Sequence, residues 1–122
     1  MTLAEIAERL GLQNLTPEIS PAAADVTGGY VSDLLSDVLA NAPKGGVLVT
    51  VQVHLNVIAV AVHAELAAII FASDRVPDDT VQAKAKEEGI ALYCSKASAF
   101  EVVGRLWEMG VRGPRQSDTV TE

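Results

Sequence analysis

Apolar residues follow two alternating patterns along this chain, the spacing of an amphipathic helix and the dense runs of a buried strand. Where apolar side chains recur every three or four residues, a helix with one buried face is expected. Helices are predicted on this basis at 2–10, 30–42, 54–65, 78–88 and 98–109. Short runs rich in Val, Ile and Leu predict strands at 15–19, 47–52, 66–72 and 90–94.

Capping residues support the ends of several of these helices. Thr2 with Glu5 and Ser98 with Glu101 have the spacing of a capping box, which begins a helix. Gly11, Gly89 and Gly110 follow the last apolar residue of a helical pattern, where a glycine ends a helix. The boundaries of these helices are therefore predicted with a mechanism as well as a pattern.

The segment 50–57 allows two interpretations. Polar residues at Thr50, Gln52, His54 and Asn56 alternate with apolar ones, as on a half-exposed strand. Alternatively, the strand ends near Val53 and a helix follows. The length of the segment and the apolar run at 66–72 favour strand, helix, strand. Its polar interruptions also argue against a membrane span, which needs about 20 predominantly apolar residues.

The order of these elements predicts an α/β fold. Strands that alternate with helices form a parallel or mostly parallel sheet. We expect a small domain of two or three layers, with a mostly parallel four-stranded sheet and about five helices, over residues 1–110. Residues 111–122 have no apolar period and are expected to form a flexible C-terminal tail.

Polar residues follow the predicted strands, where ligands bind in parallel sheets. The loops after the strands, at 52–56, 73–74 and 95–96, are expected to gather at one edge of the sheet together with the glycine pair before the second predicted helix. The candidate ligand-binding residues are Thr27, Gly28, Gly29, Gln52, His54, Asn56, Ser73 and Ser95.

Two of these candidates have structural alternatives. Gly28 and Gly29 before a helix could expose backbone N–H groups to an anion, or could form only a tight turn. His54 could contact a polar ligand or carry a proton, or could hydrogen-bond only within its own loop. Cys94 is interpreted as an inert buried thiol.

No catalytic constellation, metal site or cofactor is predicted. Asp33 and Asp37 lie four residues apart on a predicted helix, but no third and fourth ligand is nearby. Lys44 precedes Gly45 and Gly46 rather than following them, so this turn is not a phosphate-binding P-loop. We therefore expect no phosphoryl-transfer activity.

Charge and cysteine content exclude further classes. The formal net charge is −7 with only 9 Lys and Arg, which argues against a nucleic-acid partner. The single cysteine excludes an internal disulfide, and the absence of a leader pattern predicts a cytoplasmic protein without a membrane partner. Residues 57–62 are apolar nearly all round a helix, so we expect a homodimer that buries the 54–65 helix.

The run Asp25, Val26, Thr27, Gly28 and Gly29, followed by the segments 32–37 and 49–61, resembles the DRTGG domain family, with Val26 in place of the arginine. The resemblance extends over about 3–110. It implies a small α/β domain similar to the N-terminal domain of HPr kinase/phosphorylase. Related domains lie beside CBS domains in some pyrophosphatases and occur in phosphotransacetylases, and small stand-alone members occur near iron-only hydrogenase systems.

The resemblance implies a regulatory or dimerising module without a settled activity. The expected function is therefore a non-catalytic module that senses a small anionic or nucleotide ligand. Two alternatives stay open. One is an enzyme, or enzyme subunit, that acts on a phosphorylated compound with His54 as acid or base. The other is a structural adaptor for a hydrogenase or kinase partner.

Overall fold

The computed structural model describes residues 1–114. Their secondary structure alternates as the apolar pattern predicts, with five helices. The helices are α1 (Leu3–Leu10), α2 (Leu35–Asn41), α3 (Asn56–His63), α4 (Asp79–Glu88) and α5 (Ala99–Glu108). The strands are β1 (Gln13–Asn14), β2 (Gly29–Val31), β3 (Val47–Thr50), β4 (Ala68–Phe71) and β5 (Ala91–Cys94).

The strands form one sheet in the order β1-β5-β4-β3-β2. Strands β2 to β5 are parallel and each pairs with the next along the chain, whereas the short β1 pairs antiparallel with β5. The predicted α/β class and mostly parallel sheet are confirmed. The sheet has five strands in place of the expected four.

Helices cover both faces of the sheet, which makes three layers. Apolar residues of α2, α3 and α4 pack in one core cluster with Leu48, Ile69 and Leu92. Residues of α1 and α5 pack on the opposite face with Val49 and Ile70. Because β3, β4 and β5 are covered on both sides, all their residues are buried, as is usual for parallel strands.

The second predicted helix is wrong in its first turns. Tyr30 and Val31 belong to β2, where they lie opposite Leu48 and Val49 of β3. Aromatic and β-branched side chains fit a pleated strand, and this long-range pairing overrides the local helical spacing. The helix begins only at Leu35, beyond a turn in which the Ser32 Oγ accepts a hydrogen bond from the Leu34 N–H.

The predicted strand at 15–19 is also wrong. The pairing with β5 is made by the preceding residues, Gln13 and Asn14. Leu15 adds one backbone bond to Leu92, and the buried Thr16 Oγ1 accepts a hydrogen bond from the Leu92 N–H at 3.0 Å. Pro17 then follows, and a proline has no N–H with which to continue a ladder.

The ambiguous segment after β3 resolves in favour of strand, helix, strand. Strand β3 ends at Thr50, an irregular stretch follows, and α3 begins at Asn56. No helix among residues 1–114 is long and apolar enough to cross a membrane.

The chain after α5 packs back against β2. Val111 is buried, and the Arg112 carbonyl accepts a hydrogen bond from the Gly29 N–H at 2.9 Å. The Arg112 guanidinium lies 3.6 Å from the centre of the Trp107 ring. Residues 115–122 of the expected tail lie outside the described residues.

Candidate functional site

The glycine pair lies at the amino edge of the sheet, away from the other candidate residues. Gly29 is the first residue of β2, and Thr27 and Gly28 precede it. The expectation that Thr27, Gly28 and Gly29 open a helix and share an edge with the other loops is therefore wrong. They lead into a strand because β2, rather than a helix, follows them.

Close packing explains the glycines at this amino edge. A Cβ atom on Gly28 would lie 2.8 Å from the Arg112 carbonyl oxygen. On Gly46 it would meet the Pro43 Cγ at 2.8 Å and the Gly28 oxygen at 2.9 Å. The Thr27 hydroxyl donates to the Lys44 carbonyl, and the Thr27 N–H donates to Gly45. The arrangement is that of a tight turn held by local bonds.

Three predicted loops do lie at the carboxyl edge, and the first follows β3. The His54 Nδ1 accepts a hydrogen bond from the Asn56 N–H at 3.1 Å, and the Gln52 Oε1 accepts from the His54 N–H at 3.1 Å. These side chains therefore satisfy free N–H groups where α3 begins, as a helix cap does. Because Nδ1 is an acceptor, the neutral His54 ring carries its proton on Nε2.

A shallow cavity of about 450 Å³ adjoins this loop. Gln52 and His54 line it from one side, and Asp78 and Thr80 line it from the start of α4. The Asp78 carboxylate is itself engaged, since it accepts the Val81 N–H at 3.1 Å and caps α4. A ligand role for Gln52, His54 and Asn56 stays a prediction.

The loops after β4 and β5 leave the sheet toward opposite faces. The first leads to α4 on one face, and the second leads to α5 on the other. Such a divergence between neighbouring parallel strands opens a crevice in which α/β proteins bind ligands. It is the point of this sheet at which general topology predicts a site.

Backbone bonds tie these two loops together. Ser73 and Asp74 have positive φ angles of 58° and 57°, which non-glycine residues seldom adopt. Their N–H groups donate to the Ala97 and Ser95 carbonyls, each at 2.7 Å. The two loops thus form one rigid wall, with Ser73 in its exposed part.

Beside this wall lies a cavity of about 260 Å³, here called the β4/β5 crevice. Its polar lining residues are Gln13, Asp74, Ser95, Lys96 and Arg105. Within residues 1–114, neither Lys96 nor Arg105 forms an ion pair. Two cationic side chains therefore converge on one crevice of an acidic protein.

Cys94 also lines the crevice, at the end of β5. The residue is 3% exposed, and its thiol lies 3.4 Å from the Arg75 carbonyl oxygen. Burial raises the pKa of the Cys94 thiol, and the nearby Asp74 carboxylate raises it further. The neutral thiol dominates at physiological pH, so Cys94 is a poor nucleophile.

Asp33 and Asp37, considered as a cation-binding pair, have separate partners. The Asp33 carboxylate accepts the Thr50 hydroxyl at 2.7 Å and the Val51 N–H at 2.8 Å. The Asp37 carboxylate accepts a hydrogen bond from the Tyr30 hydroxyl at 2.6 Å. This bond is the largest cause of an Asp37 pKa below its ordinary value, and a bond from Asn41 is the second. In the part of the chain that the structure describes, no three His, Cys, Asp or Glu residues are grouped as metal ligands.

Sequence reasoning missed Gln13 and Arg105 as crevice residues. Gln13 was missed because β1 was expected two residues later in the chain. Arg105 lies on an amphipathic helix, and its direction depends on how α5 packs against α1. Lys96 carried a usable signal, since it comes two residues after a buried strand.

Comparisons with known proteins support the fold. No family model matches the chain, and no curated protein has a similar sequence. A solved structure of the CBS and DRTGG domains from the regulatory region of Clostridium perfringens pyrophosphatase is similar, with a TM-score of 0.70 and 12% sequence identity. The chain has a DRTGG-like fold. The predicted resemblance is thus confirmed at the level of the fold.

The match covers 96% of this chain and 51% of the pyrophosphatase region, so the chain spans about half the length of that structure. The pyrophosphatase region was solved in complex with its activator, diadenosine tetraphosphate.

Proposed function

We propose that this protein is a regulatory module that senses a small anionic ligand in the β4/β5 crevice. The observation that carries the proposal is the convergence of Lys96 and Arg105 on a cavity at the diverging loops. An Arg guanidinium binds phosphate or carboxylate oxygens through two parallel hydrogen bonds, and a Lys ammonium adds a point charge.

The remaining lining residues narrow the chemistry of the ligand. Ser95 offers a hydroxyl, Gln13 an amide and Asp74 a carboxylate. A carboxylate repels a bare anion but accepts hydrogen bonds from hydroxyl or amino groups, as acidic residues do with ribose in nucleotide sites. A phosphorylated compound with free hydroxyl groups, such as a nucleotide, fits this mixture better than an inorganic anion does.

The similar pyrophosphatase region supports a nucleotide as the first probe, because it was solved in complex with a dinucleotide activator. The experiment is a thermal-shift titration with diadenosine tetraphosphate, ATP and inorganic phosphate. A ligand at about 100 times its Kd stabilises a protein by about 2.7 kcal/mol. We expect stabilisation by a nucleotide and a smaller effect of phosphate.

The matched variants are Lys96→Ala and Arg105→Ala, with Lys44→Ala as the control. Lys44 is also an exposed cation, but it lies at the amino edge and pairs with Glu65. Loss of either crevice cation should weaken binding by about tenfold or more, equivalent to about 1.4 kcal/mol. Binding that survives both substitutions, or that responds equally to the control, contradicts the proposal.

A second candidate function is homodimerisation, for which the outer face of α3 provides the observation. Val57, Ile58 and Ala61 are buried within the subunit, so its own core accounts for part of the apolar helix. Leu55, just before α3, and Val62 remain 40% and 39% exposed, and Leu39 of α2, a helix in contact with α3, is 46% exposed. Sedimentation equilibrium of the wild type and of Val62→Glu tests this: a dimer that the added charge dissociates supports it, and a monomeric wild type contradicts it.

A further inference from the structure

Strand β2 is an edge of the sheet, and part of its backbone is open. Neighbouring residues of a strand direct their N–H and C=O groups to opposite sides. The Ser32 N–H donates to Val49 and the Gly28 C=O accepts from Val47, so the groups of Val31 face away from β3. Among residues 1–114, nothing hydrogen-bonds to the Val31 N–H or C=O outside that ladder.

Within residues 1–114, the segment that follows α5 covers only the beginning of this edge. The Gly29 N–H donates to the Arg112 carbonyl, and Pro114 follows two residues later. A proline has no N–H with which to extend such a contact into a ladder. Over the described residues 1–114, the edge is therefore open from Val31 onward.

An apolar groove runs between this open edge and helix α5. Two adjoining cavities of about 320 and 510 Å³ share Val31, Val103 and Trp107 as lining residues, and we call them together the β2/α5 groove. Phe100 at one end is 88% exposed, Trp107 is 56% exposed and Val31 is 50% exposed. Contiguous apolar exposure of this kind marks an interaction surface.

We propose that the β2/α5 groove binds an extended peptide segment of a partner protein, which adds a strand to β2. An edge strand beside an apolar groove serves this form of recognition, since backbone bonds hold the peptide and alternate side chains enter the groove. The preferred segment has a large apolar residue for the space between Val31 and Trp107. It carries Lys or Arg next to that residue.

The negative charge of the protein is the reason for expecting Lys or Arg in the peptide. Glu101 lies in the first turn of α5, is exposed, and follows Phe100, a lining residue of the groove. The chain as a whole has a net charge of −7, which attracts cationic partners and speeds their association. Arg112 lies at the opposite end and is stacked on Trp107.

A second copy of this chain fits the same edge less well. Two β2 strands paired antiparallel about Val31 would place residue 33 of one copy opposite Gly29 of the other. That position is already occupied, because the Gly29 N–H donates to Arg112 and Gly113 lies beside the Gly29 carbonyl. A separate peptide avoids the conflict, since it can begin its pairing at Val31.

The test is to pan a phage library of random dodecapeptides on the full-length wild type and, in parallel, on Val31→Pro. The substitution removes the open N–H and breaks no described hydrogen bond. We expect enrichment on the wild type of peptides that combine a large apolar residue with Lys or Arg. A peptide synthesised from an enriched sequence should bind Val31→Pro at least about tenfold more weakly than the wild type. The same peptide, N-methylated at alternate residues, should bind the wild type more weakly by a similar factor.

Two further variants keep the test independent of the folding of Val31→Pro. Phe100→Ser changes a side chain that is 88% exposed and should weaken peptide binding. Leu39→Ser removes an apolar residue that is 46% exposed on α2, on the other face of the sheet, and should leave peptide binding unchanged. No enrichment on the wild type, or equal binding by N-methylated peptides, overturns the proposal. A wild-type dimer that Val31→Pro dissociates also overturns it and makes the second copy the occupant.

Discussion

The two edges of the sheet differ in how their polar groups are used. At the amino edge, the turn from Thr27 to Gly29 packs against the turn from Pro43 to Gly46, and backbone atoms fill the space that side chains would need. At the carboxyl edge, the loops after β4 and β5 leave a crevice in which Lys96 and Arg105 form no ion pair within residues 1–114.

The glycine pair is easy to recognise in the sequence, whereas the β4/β5 crevice can be recognised only in the folded structure. Paired glycines attract a functional interpretation because they permit close approach of a ligand. Here the close neighbour is another part of the same chain. The crevice, in contrast, is assembled from the end of α1, β1, α5 and two loops, none of which contains a recognisable ligand-binding motif.

The largest effect is expected at the amino edge. Gly46→Ala should destabilise the protein by about 3 kcal/mol, because the new methyl group meets two backbone oxygens, of Gly28 and Pro43, at 2.9 Å. Urea denaturation measures the change. Gly104→Ala is the matched control: it lies within α5 with nothing within 4 Å, and should stabilise the protein by about 0.5–1 kcal/mol. A Gly46→Ala variant that is as stable as the wild type would show that the amino edge has room for a side chain.

An intermediate effect is expected at the carboxyl edge after β3. His54→Ala removes the acceptor for the Asn56 N–H and should cost about 1 kcal/mol of stability, as the loss of a helix cap does. His54→Asn, which keeps a capping oxygen, should recover most of it. If instead His54→Ala leaves stability unchanged and abolishes the nucleotide-induced thermal shift, the ligand contacts His54 and occupies the cavity beside α4 rather than the β4/β5 crevice.

The smallest effect is expected at the hydrogen bond between Tyr30 of β2 and Asp37 of α2, which takes part in neither the amino-edge packing nor the carboxyl-edge crevice. Tyr30→Phe removes the hydrogen bond that contributes most to the lowered pKa of Asp37, so this pKa should rise toward its ordinary value. A carboxyl group whose pKa is lowered in the folded state stabilises the fold at pH values above its ordinary pKa. This contribution is lost as the pH falls through the folded-state pKa.

Tyr30→Phe should therefore be less stable than the wild type at neutral pH, and the difference should shrink in acid. NMR titration of the Asp37 carboxyl carbon measures its pKa in the wild type and in the variant. Urea denaturation at neutral and at acidic pH measures the difference in stability. An Asp37 pKa that does not change in the variant would contradict the assigned bond.

The fold was largely predictable from the sequence, because most helices and all the buried strands have strong local signals. The capping residues Thr2 and Ser98 begin helices as expected. The errors lie at β1 and β2, strands of two and three residues that form by pairing with other strands. Local periodicity carries no information on such pairing, so Tyr30 and Val31 were assigned to a helix.

The candidate site was predictable only in part, for the same reason. Ser95 and Lys96 follow a strong buried strand, and their edge of the sheet was inferred correctly. Gln13 and Arg105 enter the crevice through the packing of the N-terminal and C-terminal elements, which are far apart in the chain. Thr27, Gly28 and Gly29 were assigned to the wrong edge once β2 had been missed.

The order of the strands has a consequence for how the chain folds. Strands β2, β3, β4 and β5 pair in the sequence in which they are synthesised, so each finds its neighbour one helix away. The contact of Thr16 with Leu92 spans 76 residues and closes a far larger loop. Closure of a long loop costs more entropy and slows folding, so the N-terminal segment is expected to join last. Since β1 contributes Gln13 to the β4/β5 crevice, the crevice becomes complete only in this final step.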